Sequence, residues 1–165
     1  MEEGARAEAA RVMSPQSYFL RPARPGDDEA IASVVELAYT PYIERIGRKP
    51  GPMLEDYAKV VAERQVTVAE REGKVVGVLV LASTKEGFLL DNIAVHPAHR
   101  GGIGKALLQY AESEGRRQGF ASIYLYTHQK MTENQALYSR IGYVEYDRRN
   151  ENGFARVYMR KSLER

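Results

Sequence analysis

Two periodicities alternate along this chain, and the points where one gives way to the other mark its elements. Ile31, Val34, Val35 and Ala38 fall at i, i+3, i+4 and i+7, the spacing that gathers side chains onto one stripe of a helix, and Asp27 or Asp28 stands where a capping carboxylate belongs. Before it, Ser17 to Arg21 carries Tyr18, Phe19 and Leu20 and reads as a first strand, broken by Pro22 to Gly26. After it, Tyr39 to Met53 includes Pro41, Gly47, Pro50, Gly51 and Pro52, which predicts a helical turn followed by a loop. Helical spacing resumes over Leu54 to Arg64 through Leu54, Tyr57, Val60 and Val61.

The rest of the chain is mostly strand. Val66 to Glu70 and Lys74 to Ser83 form a hairpin around Glu72-Gly73, and the second of these is apolar on both faces from Val75 to Leu81, as befits a strand inside a sheet covered on both sides. Phe88 to Val95 is a strand stopped by Pro97. Ile103 to Gln118 is a helix with Leu107, Leu108 and Ala111 inward and Gly119 at its end. Ile123 to Thr127, a short helix over Asn134 to Ile141, and a last hairpin of Tyr143 to Arg149 with Phe154 to Lys161 complete the series. This order predicts an α/β (α+β) layer, helices packed on a mixed sheet. No repeat or linker divides residues 16–165, which are expected to form one domain behind a loose tail over residues 1–15.

Composition changes the functional picture more than the fold. With no cysteine, a thiol nucleophile, a disulfide framework and a Cys-ligated metal are excluded, and a cytoplasmic origin is expected. His96, His99 and His128 show no metal-ligand spacing, and no GxSxG occurs, so no metal and no hydrolase triad are expected. The longest apolar run, Val75 to Ala82, falls far short of the roughly 20 residues a membrane span needs, and the acidic N-terminus is unlike a signal peptide. Basic and acidic residues, 24 against 22, are distributed without a block of one sign, so neither membrane nor nucleic acid is an expected partner.

The stretch with most chemistry runs from Asp91 through His96-Pro97-Ala98-His99-Arg100-Gly101-Gly102-Ile103-Gly104-Lys105. It takes a strand through a glycine-rich turn straight into a helix. Such a turn aims several N–H groups at one point, and the helix start adds unpaired donors and the positive end of its dipole, which together make an anion socket flanked by Arg100 and Lys105. It is not a Walker loop, because Gly104-Lys105 is followed by Ala106 and no Gly stands at 99. It is not a dinucleotide fingerprint either, because Leu107 replaces the third glycine.

In these elements, from Tyr18 to Lys161, the sequence resembles the GCN5-related N-acetyltransferase (GNAT) family. The likeness rests on four matches in order: the Val75 to Ala82 strand, Ile93-Ala94-Val95-His96-Pro97, Gly102-Ile103-Gly104, and Ala136-Leu137-Tyr138 leading to Gly142-Tyr143. It departs at His99, where the family has Gln or Arg with Arg100 one residue late, and at Met131, where many members carry an Asn that Asn134 would replace one turn nearer. The resemblance implies a mixed, mostly antiparallel sheet of about seven strands with helices on both faces. It implies direct transfer of the acetyl group of acetyl-CoA to a primary amine of a small molecule or a protein, and leaves a homodimer open. Ile93, Ala94 and Val95 would bind the cofactor through their backbone, with His99, Arg100, Gly101, Gly102, Ile103, Gly104, Lys105 and Asn134 around it.

Attack needs free amine, of which well under 1% exists at neutral pH for an alkyl amine of pKa about 10.4, so a base is required, and the leaving thiolate needs a proton. The resemblance makes Tyr138 the proton donor. Asp91 is the leading base, placed by strand alternation on one face with Leu89, Ile93 and Val95. Tyr39, Tyr42 and Asn92 are expected at the acceptor, beside Tyr57, Arg45, Arg48 and Lys49. The reading that competes with an enzyme is an acyl-CoA binding protein of the same fold without turnover.

Overall fold

A computed structural model describes residues 17–99 and 101–164; the expected tail over 1–15 and Arg100 lie outside them. Seven strands form one sheet: β1 (Phe19–Pro22), β2 (Gln65–Arg71), β3 (Lys74–Thr84), β4 (Gly87–Val95), β5 (Ser122–His128), β6 (Val144–Glu151) and β7 (Phe154–Ser162). Their order is β1-β2-β3-β4-β5-β7-β6. Every neighbouring pair is antiparallel except β4 and β5. Four helices cover it: α1 (Asp28–Ile46), α2 (Tyr57–Glu63), α3 (Ile103–Arg117) and α4 (Thr132–Arg140). No helix among the described residues is long and apolar enough to cross a membrane.

The sheet has a core on each side. Ile31, Val34 and Val35 of α1 and Tyr57 and Val60 of α2 pack on Val66, Val68, Val78, Val80 and Ala94. On the other face Ile103, Leu107, Leu108 and Ala111 of α3 pack with Leu79, Leu81, Phe88, Leu90, Ile123 and Leu125. Strand β3 supplies residues to both, which accounts for its unbroken apolar run. Helix α3 lies close on the sheet because Gly77 lets it: a Cβ there would stand 3.1 Å from Ile103 and 3.3 Å from Leu107.

The elements follow the sequence except around the prolines. Helix α1 does not end near Ala38 but runs through Pro41 to Ile46, where Gly47 at φ +90° stops it. Its apolar stripe continues through Tyr39 and Tyr42 to Ile46, which is buried with Met131 and Phe154. The bond Pro41 removes would have gone to the carbonyl of Leu37, an exposed residue. Residues Gly51–Leu54 make a 3-10 turn with Leu54 exposed, and α2 starts only after Asp56, whose carboxylate accepts from the N–H groups of Ala58 and Lys59. At the head of α1, Asp27 turns its carboxylate away from the helix to Arg21 and the Arg24 N–H.

Candidate active site

The backbone of β4 is half unpartnered. His96 donates to the Val76 carbonyl at 2.8 Å, and Ala94 stands opposite Val78. By the alternation of an antiparallel ladder, the N–H and C=O groups of Ala94 go to Val78, whereas those of Ile93 and Val95 point toward β5. Strand β5 pairs with β4 only at Phe88↔Ile123 and Leu89↔Tyr124. Beyond those pairs the strands part, and a notch opens between them.

Two cavities meet at this notch. One of about 620 Å³ lies along Val95, Gly104, Lys105 and Leu108 on one side and Leu137 and Ile141 on the other. The second, about 130 Å³, is walled by Pro50, Pro52, Tyr57, Arg64, Tyr126 and Arg156. Tyr39, Ile93, Met131, Asn134 and Tyr138 border both, so groups entering from the two sides face each other at the unpaired Ile93.

At the far end of the larger cavity the chain turns into α3. Gly101 and Gly102 have φ of +113° and +97°, a conformation side chains rarely adopt, and a Cβ at either would meet nothing within 4 Å. Backbone shape, not crowding, therefore calls for glycine there. Gly102 caps α3 without a side-chain hydrogen bond, which leaves the first amides of the helix directed outward as an anion socket. The Tyr18 hydroxyl donates to the Gly102 carbonyl at 3.4 Å. His99 lies against this turn with Nδ1 3.3 Å from Arg71 Nη1. Arginine only donates, so Nδ1 accepts and the ring proton sits on Nε2. Desolvation first, then His96 and Arg71, hold His99 below its ordinary pKa, so it is neutral at pH 7.

Residues 62–145, just over half of the chain, match the model of a family described as an acetyltransferase (GNAT) domain. The stretch spans β3, the bulged β4, the glycine turn, α3 and α4. The chain belongs to the GNAT family. Acetyl transfer is the chemistry of this GNAT domain. No curated protein matches its sequence significantly. Among solved structures, PaiA N-acetyltransferase from Thermoplasma acidophilum in complex with coenzyme A is 18% identical with a TM-score of 0.73, over 88% of this chain and 99% of that one. The ribosomal-protein-S18-alanine N-acetyltransferase from Escherichia coli is 19% identical with a TM-score of 0.72, over 90% and 96%. The Salmonella typhimurium protein yncA with its cofactor acetyl-CoA is 19% identical with a TM-score of 0.67, over 90% and 95%. At these identities the likeness is one of fold: the mixed seven-stranded GNAT sheet.

The GNAT cleft collects most of the residues singled out in the sequence. Tyr138 borders both cavities, with its ring edge-on to Tyr143 at 5.7 Å, and burial pushes its hydroxyl up to about 12. Asn134 borders both, Lys105 only the larger. Tyr42 also borders the larger cavity alone, away from the compartment expected for an acceptor. Tyr39 donates to Asn92 Oδ1 at 3.0 Å and lies 3.2 Å from the Ile93 carbonyl. The Asn92 amide in turn donates to Tyr57 at 3.0 Å, and Tyr57 to the Pro52 carbonyl at 2.6 Å. Buried Asn92 thus ties two tyrosines together. Arg45 is taken by Glu133 at 2.6 Å, and Arg48 lies over Phe154 at 4.0 Å.

Asp91 does not share with Ile93 and Val95 the face that alternation predicts for it. Val80 pairs with Asn92 and Leu81 with Leu90, so Asp91 is the extra residue of a β-bulge and the alternation slips by one. Ile93 and Val95 join Phe88 and Leu90 on the α3 side, while Asp91 opens into the smaller cavity. There its Oδ2 accepts from Arg64 Nη1 at 2.7 Å, and its Oδ1 accepts from Tyr126 at 3.4 Å. Burial raises its pKa, and Arg64 opposes that rise. Arg64, Tyr126, His128 and Arg156 also line this cavity; sequence reasoning passed over Arg64, Tyr126 and Arg156, and noted His128 only for lacking a metal-ligand spacing. For Arg156 the signal available was the period of two in β7, which sets Phe154, Arg156 and Tyr158 on one face and Val157 and Met159 on the core face.

Proposed function

We propose that this chain transfers the acetyl group of acetyl-CoA directly to a primary amine, with residues 16–165 acting as one catalytic domain. The observation that carries the reading is the notch beside Ile93, open to a cavity on each side and bordered from both by Tyr138. A thioester and an amine entering from opposite ends meet there without a covalent relay, in keeping with a chain that has no cysteine.

The residues present suit coenzyme A. The outward amides of Ile103, Gly104 and Lys105, with His99 and Lys105, fit a pyrophosphate, and the strand edge at Ile93 and Val95, which β5 leaves unpaired, fits the amide groups of a pantetheine arm. When bound, the thioester supplies an activated acyl carbon. Asp91 takes a proton from the incoming ammonium, directly or through water, so that its nitrogen can bond to that carbon. As the carbon–sulfur bond breaks, Tyr138 gives its proton to the departing thiolate and regains one, through water, from the second proton that the newly acylated nitrogen sheds. Burial suits both roles: it keeps the Tyr138 hydroxyl protonated throughout the neutral range, as a donor needs, and raises the Asp91 carboxyl, which makes it a stronger base.

A thiol-release screen of amines, amino acids and peptides tests this. Release should depend on the amine, and acetyl-CoA at 100 times its Kd should stabilise the fold by about 2.7 kcal/mol, roughly 5–10 °C for a domain of this size. Stabilisation without any amine-dependent release would instead mark an acyl-CoA binding protein. An unchanged melting temperature would refute both.

A further inference from the structure

The smaller cavity has a charge pattern of its own. Glu55 and Asp91 contribute two carboxylates to its wall, and Arg64 and Arg156 two guanidinium groups, so the walls balance. Arg64 is committed, with Asp91 at 2.7 Å and Glu55 at 3.6 Å. Arg156 is not. Among the described residues its guanidinium makes one hydrogen bond, Nη1 to Glu151 Oε1 at 3.4 Å, and that same carboxylate oxygen accepts the Tyr158 hydroxyl. The group is held in place by packing instead, 4.4 Å over the Tyr126 ring and 5.6 Å from Phe154, both of which line the cavity.

Tyr126 joins the two ends of this compartment, with its hydroxyl at Asp91 and its ring face beneath Arg156. A second donor stands beside Arg156. His128 is its cross-strand partner and also lines the cavity, and its Nδ1 accepts from the Lys130 N–H at 3.1 Å, which leaves the ring N–H on Nε2. With about 130 Å³ of space, the compartment suits a compact metabolite. A polyamine would add several positive charges to a wall that is already balanced, whereas a molecule with one ammonium and one carboxylate keeps it so.

We infer that the acceptor is an amine bearing a carboxylate, an amino-acid-like zwitterion whose anionic end is held by Arg156 across Tyr126 from Asp91. This rests on the acetyltransferase reading and narrows its substrate. A bidentate guanidinium–carboxylate contact in a partly buried wall contributes selectivity for the acid over its decarboxylated counterpart.

The test compares kcat/KM for matched sets of acceptors: an amino acid, its amide and its decarboxylated amine, for phenylalanine, leucine and lysine. The wild-type protein should favour the free acid in at least one set by about tenfold or more over both counterparts, the scale of a hydrogen-bonded charge. Arg156→Met should bring the three members of that set within about threefold of one another through a higher KM for the acid. Arg156→Lys should keep part of the preference. Acetyl-CoA thermal shifts check that each variant folds, and if neither does, the wild-type comparison alone decides. Equal or better turnover of the decarboxylated amines, or a preference that survives in Arg156→Met, overturns the inference while leaving the acetyltransferase intact. No amine-dependent thiol release in any set refutes the acetyltransferase reading itself.

Discussion

Tyr138 and Asp91 owe their properties to what lies beside them. Tyr138 is buried against Tyr143, which raises its pKa to about 12 and keeps a proton on the phenol at any pH where the enzyme would work. Tyr138→Phe retains the ring and loses the proton. It is expected to lower kcat about 10²-fold with little change in KM for acetyl-CoA, a split that steady-state kinetics reads directly. A loss of stability with kcat intact would assign the tyrosine to packing alone. For Asp91, burial favours the neutral acid and Arg64 favours the carboxylate. Removing the cation in Arg64→Met leaves burial opposed only by the Tyr126 hydrogen bond, so the Asp91 pKa rises further. The acid limb of the kcat/KM profile, where activity falls as the base is protonated, should move to higher pH. A limb that stays in place would mean that another group governs it. Asp91 could be singled out in the sequence as an acid on a strand near the glycine turn, but its surroundings could not. One bulged residue changes which face it occupies, and its partner Arg64 is 27 positions away. Arg156 was hidden for a related reason, because an arginine in an edge hairpin reads as solvated until β5 and the proline turn at Pro50 to Pro52 are seen to enclose it.

The elements themselves were legible wherever one period ran long enough. The apolar stripe of α3, the hairpin of β2 and β3 and the doubly covered β3 all stand where the sequence puts them. The exceptions share a cause: a tertiary contact outweighs a local preference. Pro41 should end α1, yet burial of Ile46 against Met131 and Phe154 carries the helix on for five more residues beyond it. The seat of α3 on the sheet gives a sharper test. With Ile103 and Leu107 as near as 3.1 and 3.3 Å to a Cβ at position 77, Gly77→Val must lift the first turns of α3 off β3. Overpacking of this kind costs roughly 1–3 kcal/mol. Because the same turns carry the anion socket, the melting temperature and the affinity for CoA should fall together, measurable by thermal denaturation with and without the ligand. A variant that loses stability but binds CoA as tightly as wild type would show the socket to be independent of that contact.

For the molecule as a whole, one parallel pair in an otherwise antiparallel sheet determines where chemistry can occur. Parallel neighbours require a crossover, here α3, and the crossover sets a helix N-terminus at the end of β4. The same two strands then part and leave Ile93 without a strand partner on that side, between two cavities. The family and the sheet could be anticipated from the order of elements and the glycine turn. The junction of the cavities could not, since it is made by α1, β4, β5 and α4 together and no one segment records it. If acetyl-CoA and amine do meet at that junction, the reaction passes through a complex of both with the protein. Initial rates measured with acetyl-CoA and a competent amine both varied should then give double-reciprocal lines that intersect. Parallel lines, the mark of an acetylated protein formed before the amine binds, would contradict direct transfer at Ile93 and Tyr138.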